Sequence, residues 1–381
     1  MRASRRGFLA GAAAATAAAG LTACTRDGAP SNTAPSIPEQ RHASYAAFDL
    51  TCATAVETDE LLRTLAERIG VLKSARTPVA TAITAPPNDS GTLGPELDGA
   101  ADLTVNIGYG ASFFDRWHTD RRPSGLVPMR EFDDDRLDPA RCHGDLLLEI
   151  RAAEQDTVLH TLRDLSRAGR GALAPRWRQD GSQPAPRPDG APRNHFGFKD
   201  GTSNVRPDEF DRLVWLDGAA QSWTRGGTFL VVRLIRMLTE FWDRISLAEQ
   251  ENIFGRDRAS GAPLDGSDES DAPQYADDPG GDVIPLTSHI RLANPRTAET
   301  DDSRIFRRAY NYAGGIDANG NLDLGLVFTC LQRDIAAQFE ATQERLAGEP
   351  LTDYIAPFGG GYFYLPPRDA GTGCSTTGGI L

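Results

Sequence analysis

The chain has 381 residues, with 40 Lys and Arg against 53 Asp and Glu, a formal net charge of −13 and 40% hydrophobic residues. That acidity, with no basic patch carrying interleaved aromatics, argues against a nucleic-acid partner. Its five cysteines include no Cys-x-x-Cys pair, which excludes a zinc ribbon and a thioredoxin motif.

The N-terminus opens with Ser4-Arg5-Arg6-Gly7-Phe8-Leu9 and an alanine-rich run to Ala23. A basic n-region, a short apolar h-region and small residues at its end describe an export signal. The run is too short and too weakly apolar for a transmembrane helix. Paired arginines before Gly-Phe-Leu resemble the twin-arginine signal, whose route carries folded proteins. Residues 1–23 are therefore expected to be a signal, and the protein to reach the extracellular space or the cell envelope. Leu21-Thr22-Ala23-Cys24 resembles a lipoprotein processing box, which would make Cys24 a lipid-bearing membrane anchor. Ordinary cleavage nearby, releasing a soluble protein, is the alternative. Residues 24–43 are rich in Pro, Ser, Ala and Asn and read as a flexible tether that includes His42.

About 340 residues remain, enough for two domains. Ser44 to Cys52 is strand-like, and Glu57 to Arg76 places Leu61, Leu62, Leu65, Ile69 and Leu72 at helical spacing. Asp102 to Gly108 and Gly144 to Ile150 read as strands, and Thr157 to Ala168 as an amphipathic helix. Strand, helix, two strands and helix suggest a split βαβ, ferredoxin-like half over residues 44–194. Ala172 to Asn194, with five prolines, reads as an irregular crossing between domains.

The pattern recurs over residues 195–381. Gly227 to Met237 is a predicted strand and Leu238 to Phe254 a helix. Arg304 to Tyr312 and Leu322 to Leu331 are strands, Ile335 to Leu346 a helix, and Gly359 to Leu365 a last strand. The expected class is α+β, two ferredoxin-like domains with antiparallel sheets covered by helices. Between the predicted helix ending at Phe254 and His289 lies a long segment, Arg256 to Ser288, with seven acids from Leu264 to Asp282. A solvated insertion is the preferred reading over a metal-collecting loop. Asp317 to Asp323 lacks the glycine of an EF-hand and reads as a hairpin turn. Cys52, Cys142, Cys330 and Cys374 are open to disulfide pairing or to burial as free thiols.

The chemistry concentrates in Gly197-Phe198-Lys199-Asp200-Gly201-Thr202-Ser203-Asn204, which sets one carboxylate between two glycines. Six histidines occur, at positions 42, 118, 143, 160, 195 and 289, and no two have the close spacing of a zinc site. A metal held by one histidine takes its remaining ligands from elsewhere, and a porphyrin supplies four nitrogens. His289 closes the long acidic segment, in Ser288-His289-Ile290-Arg291-Leu292-Ala293-Asn294-Pro295-Arg296.

Together with His143-Gly144-Asp145-Leu146-Leu147, Arg304 to Tyr312 and Gly359 to Leu365, these motifs give the chain from about Ser44 to Pro367 a family likeness. It resembles the dye-decolorising (DyP-type) haem peroxidases, in their exported peroxidase/deferrochelatase branch. The resemblance implies two ferredoxin-like domains with one haem b per chain in the C-terminal one. It implies Asp200 as the distal acid/base, Arg307 as the distal arginine and His289 as the iron ligand. Gly201, Thr202 and Ser203 would line the haem distally, and Asn294, Pro295 and Arg296 would follow the ligand loop around it, Arg296 pairing with a propionate. Asp353 is the expected acceptor for the second ring nitrogen of His289. Ala309 stands where this branch usually has glycine, and its methyl is expected to narrow the distal pocket.

The implied reaction reduces hydrogen peroxide and oxidises dye-like or phenolic reductants by one-electron steps. Asp200 would move a proton from the near to the far peroxide oxygen while Arg307 stabilises charge on the departing one. An ordinary aspartate pKa of about 3.9 predicts an acidic optimum. Trp177, Trp215, Trp223 and Trp242 are nominal relays to reductants too large for the pocket. The same His289 would serve the alternative, haem handling with release of iron as a deferrochelatase, with iron-uptake partners. Homo-oligomers are the habit of the family.

Overall fold

Residues 40–74, 82–87, 90–94, 102–369 and 372–381 are described by the computed structural model. The expected signal, Cys24 and most of the expected tether lie outside these residues. His42, placed in the tether from sequence, already pairs in the first strand, opposite Ala152 and Ser182.

The N-terminal half runs β1 (His42–Leu50), α1 (Ala55–Lys73), β2 (Thr104–Tyr109), α2 (Ala111–Trp117), β3 (Leu146–Ala152), α3 (Gln155–Ala168) and β4 (Leu173–Ser182). Thr54 caps α1 by accepting a bond from the Glu57 amide, and the helix buries Thr58, Leu61, Leu62, Leu65 and Ile69 as one stripe. β4 corrects the reading of 172–194 as irregular crossing. Only Trp177 is buried along it, and Arg176, Arg178 and Asp180 erase the apolar alternation. Pro175 is tolerated because the pairing of β1 with β4 shifts register beside it, between Ala47 and Phe48.

The C-terminal half runs α4 (Phe210–Leu213), β5 (Thr228–Met237), α5 (Thr239–Trp242), α6 (Leu247–Phe254), α7 (His289–Ala293), β6 (Phe306–Ile316), β7 (Leu322–Gln332), a π-helical turn Ile335–Glu340, α8 (Ala341–Leu346) and β8 (Ile355–Leu365). The helix expected from Leu238 to Phe254 is two helices. Ser246 starts the second by capping the Glu249 amide, and Gly255 ends it at φ +83°. The turn at Asp317 is a hairpin, its carboxylate accepting bonds from the Asn319 and Asn321 amides.

Each half forms an antiparallel sheet in the split βαβ order, β4-β1-β3-β2 and β8-β5-β7-β6. Single residue pairs, Tyr109 with Tyr364 and Ser182 with Asn311, join their edges into a closed barrel. The inward faces meet in a core that includes Tyr45, Leu147, Trp177, Leu230, Val232, Tyr310, Val327 and Phe363. Glu149 is buried in the same interior, 3.2 Å from Arg151 and 3.8 Å from Arg308. Burial pushes its carboxyl up, but the two guanidiniums and the Asn106 amide outweigh this and hold it below the usual range. Helices α1 and α3 cover the outer face of the first sheet. All four described cysteines are free and buried.

Candidate active site

The outer face of the second sheet carries the site. Strand alternation sends Leu230, Val232 and Leu234 of β5 into the barrel, while Arg233, Ile235 and Met237 turn to a cavity of about 250 Å³. On β7, Leu326 and Phe328 line it, and Val327 between them points inward. The same rule separates two adjacent arginines of β6. Arg307 lines the cavity, and Arg308 is 7% exposed in the interior.

The acid loop is built from tight turns. Asn194 accepts the Gly197 amide with its carbonyl and the Phe196 and Phe198 amides with its side chain. Gly197 and Gly201 take φ of +85° and +122°, and Ser203 is left-handed at +56°. The Asp200 amide donates to the Pro192 carbonyl at 2.8 Å, and the Asp200 carboxylate lies 3.8 Å from the Arg307 guanidinium. Arg307 donates to the Thr202 carbonyl at 2.8 Å. Asn204 accepts from the Arg307 amide at 2.9 Å and donates to the Arg307 carbonyl at 2.7 Å. Sequence reading passed over this role for Asn204, although the residue closes the acid motif.

His289 begins the short α7 and also lines the cavity. Its Nδ1 faces both carboxylate oxygens of Glu349 at 3.0 Å. Burial pulls the imidazole pKa down, yet the Glu349 charge and hydrogen bond outweigh it, so the net direction is upward. Glu349 replaces the expected Asp353. One 3₁₀ turn, Pro350–Tyr354, carries both carboxylates, Glu349 as its buried N-cap and Asp353 within it on the exposed side.

Asn294 and Arg296 line the cavity, whereas Pro295 between them does not. The Asn294 side chain accepts the Arg296 amide at 3.1 Å, across a backbone that is left-handed at Arg296. Gly201, Thr202 and Ser203 all line the cavity. Ala309, expected to narrow it, is not among its lining residues. Trp177, Trp215 and Trp242 are buried. Trp242 packs 5.7 Å from Phe254, whose ring is 6.0 Å from His289.

The acidic segment differs from a solvated insertion. Asp278 accepts from the Ile284 amide at 2.9 Å and pairs with Arg291. Tyr275 lines the cavity with a buried hydroxyl that has no hydrogen-bond partner. Burial pushes its phenol up to about 12, against the pull of Arg296, Arg256 and Arg291.

These features fit a haem. One imidazole, its Nδ1 already engaged, leaves only Nε2 for a metal, and among the described residues no group of three His, Cys, Asp or Glu side chains gathers as a metal cage. A flat apolar ligand would meet Phe198, Phe254, Leu326, Phe328 and Leu351. Arg256, Arg296 and the orphaned Tyr275 hydroxyl offer donors to peripheral carboxylates. Burial, with the nearby Arg307 and Arg296, holds the Arg256 guanidinium below its usual value despite Tyr275 and Glu269.

Comparison with known proteins agrees. Residues 36–183 match the family described as Dyp-type peroxidase, N-terminal, and residues 191–370 match Dyp-type peroxidase, C-terminal. The deferrochelatase of Escherichia coli (strain K12) is 43% identical over 344 residues, 87% of this chain and 81% of that protein. The DyP-type peroxidase of Cellulomonas bogoriensis is 34% identical with a TM-score of 0.78, covering 87% of this chain and 91% of that one. Ferric DtpA from Streptomyces lividans is 32% identical with a TM-score of 0.76, covering 87% and 90%.

Proposed function

Because the chain belongs to the Dyp-type peroxidase family, we propose that it is a haem-dependent peroxidase whose proton chemistry is carried by Asp200 and Arg307. The single observation behind the residue roles is that the Asp200–Arg307 pair and the Glu349-bound His289 line one cavity. When bound, the haem, taken as one haem b per chain, supplies an iron with an open coordination position and the capacity to store oxidising equivalents.

The residues of the chain divide the remaining work. His289 would hold the iron through Nε2, while Nδ1–H donates to the Glu349 carboxylate, fixing the tautomer and raising the basicity of the ring. Asp200 accepts a proton from one oxygen of hydrogen peroxide and returns it to the other, a shuttle that commonly contributes about 10²–10⁴-fold. The Arg307 guanidinium, preset by Thr202 and Asn204, stabilises the charge that grows on the departing oxygen. Phe198, Ile235, Leu326 and Phe328 supply apolar parts of the wall of the same cavity. An organic reductant then supplies two electrons in single steps.

The experiment is to load the protein with haem, follow the Soret band after adding equimolar peroxide, and compare Asp200→Ala, Arg307→Ala and His289→Ala. The proposal expects lost haem anchoring in the His289 variant and slowed reaction with peroxide in the other two. Equal peroxide rates in all four proteins would refute the assignment.

A second reading takes haem as cargo, with iron removed and the porphyrin spared. It is favoured by 43% identity to a protein named deferrochelatase, and it uses the same cavity. Release of metal-free porphyrin under reducing conditions would support it. Export by the twin-arginine route, a lipid anchor at Cys24, homo-oligomerisation and iron-uptake partners accompany either reading as proposals, supported by the residues of the N-terminus and by family habit.

A further inference from the structure

The acid-rich segment between α6 and α7 sends one side chain to the Asp200 loop. Glu269 accepts from Lys199 Nζ at 2.6 Å through Oε2. Through Oε1 it accepts from Thr202 Oγ1 at 2.8 Å and from the Ala191 amide at 3.1 Å. Lys199 and Thr202 bracket Asp200 and Gly201, and Ala191 precedes the proline whose carbonyl receives the Asp200 amide. One carboxylate thus ties together three points around the acid. Its partners are charged or fully committed donors, and charge-assisted bonds of this kind are stronger than neutral ones.

The contact is close-packed as well as charged. The Lys199 side chain is 4% exposed, so its ammonium has no bulk water to replace a lost carboxylate. The other acid near it, Asp189, is 3.9 Å away and 87% exposed. Gly190, at φ +75°, leaves no space beside the pair, since a Cβ there would stand 1.9 Å from Glu269 Oε2 and 2.9 Å from Lys199 Nζ. Arg256, 6% exposed, holds the same segment from behind, donating to the Glu269 and Gly261 carbonyls and to Ser203 Oγ.

We infer that Glu269 is a positioning residue for Asp200: it staples the acid loop in the conformation that sets the Asp200 carboxylate beside Arg307. The inference rests on the proposed peroxide chemistry of that pair and adds the acidic segment to the machinery of the site. Glu269 does not itself line the cavity, so its influence passes through Lys199 and Thr202, the lining residues it holds.

Three measurements test it. Glu269→Gln keeps the shape and removes the charge, whereas Gly190→Ala displaces the carboxylate and alters no charged group. With the haem-loaded protein, each variant is expected to slow the reaction with hydrogen peroxide about 10- to 100-fold, the usual cost of misplacing a reacting group by about an ångström. Haem affinity and the resting Soret band stay as in the parent. Hydrogen exchange of the full chain is expected to show faster amide exchange over residues 197–204, with or without haem. In an Asp200→Asn background, Glu269→Gln should cost no more than about twofold further, because coupled residues are not additive. Unchanged exchange over 197–204 overturns the inference. So does the same fold-loss in the Asp200→Asn background, which would make Glu269 act independently of Asp200. If the parent protein itself fails to react with peroxide, the functional reading falls, and the exchange comparison still decides the staple. If Glu269→Gln does not fold, Gly190→Ala carries the test alone.

Discussion

Asn204 holds the peptide of Arg307 from both ends, accepting its N–H at 2.9 Å and donating to its C=O at 2.7 Å. A side-chain amide here takes the place of a neighbouring strand, fastening the acid loop to the start of β6. Arg307 returns the link by donating to the Thr202 carbonyl.

Asn204→Ala is therefore expected to lower the second-order rate with peroxide about 10- to 100-fold through misplacement of the guanidinium. Arg307→Ala, which removes the charge itself, should cost at least as much, about 10²–10³-fold. Stopped-flow absorbance at the Soret band reads both. Equal loss in Asn204→Asp and Asn204→Ala would show that the donated bond matters more than the accepted one.

Glu349 faces His289 with a carboxylate that is 3% exposed. Replacing it with glutamine removes a full negative charge from the second nitrogen of the proposed ligand. In haem-loaded Glu349→Gln, spectroelectrochemistry should show a higher midpoint potential than in the parent. An unchanged potential would remove Glu349 from control of the iron. Asp353→Asn, on the exposed side of the same turn, is expected to leave the potential where it was.

Arg304 binds Glu209, and this hydrogen bond, against some burial, holds the Glu209 carboxyl down at about 2 rather than 4.5. A depressed folded-state pKa means that the unfolded chain binds the proton more readily. The stabilisation is thus complete above about pH 4.5 and is lost as pH falls through about 2. Thermal unfolding followed across that window should show a steeper acid loss in the parent than in Glu209→Gln. Matching slopes would count against the pair.

Asp135 and Arg233, the latter at the cavity wall, form a pair with 1% and 2% side-chain exposure. Removing one partner leaves a buried charge, so Asp135→Ala is expected to cost about 3–5 kcal/mol in denaturant unfolding. A loss under about 1 kcal/mol would mean that water or another group satisfies Arg233.

Much of the fold is legible in the sequence because its strands and helices bury regular stripes. The run Leu61, Leu62, Leu65, Ile69 announces α1, and the runs Phe229 to Val232 and Leu326 to Phe328 announce β5 and β7. β4 is the exception, since it packs one tryptophan and shows arginines outward. Among the site residues, Asp200, His289 and Arg307 stand in recognisable motifs, and the structure brings them to one cavity. Glu269 and Glu349 carry no such pattern. Each is one acid among several in a polar stretch, and only chain folding decides which acid meets Lys199 or His289. Asp353 and Glu349 are four residues apart, and no periodicity tells the inward member from the outward one.

Arg307 and Arg308 are consecutive, yet one faces the cavity and Asp200, where the proposed peroxide chemistry would run, and the other answers Glu149 inside the barrel. A β-strand thus lets a single segment serve two masters whose demands do not mix. Substitutions on one side can retune the reaction, while those on the other trade only in stability. A slip of one residue along β6 would turn Arg307 into the barrel and Arg308 out of it, so that neither keeps its present partner. The hydrogen-bond register of this strand therefore guards the proposed site and the cohesion of the barrel at once.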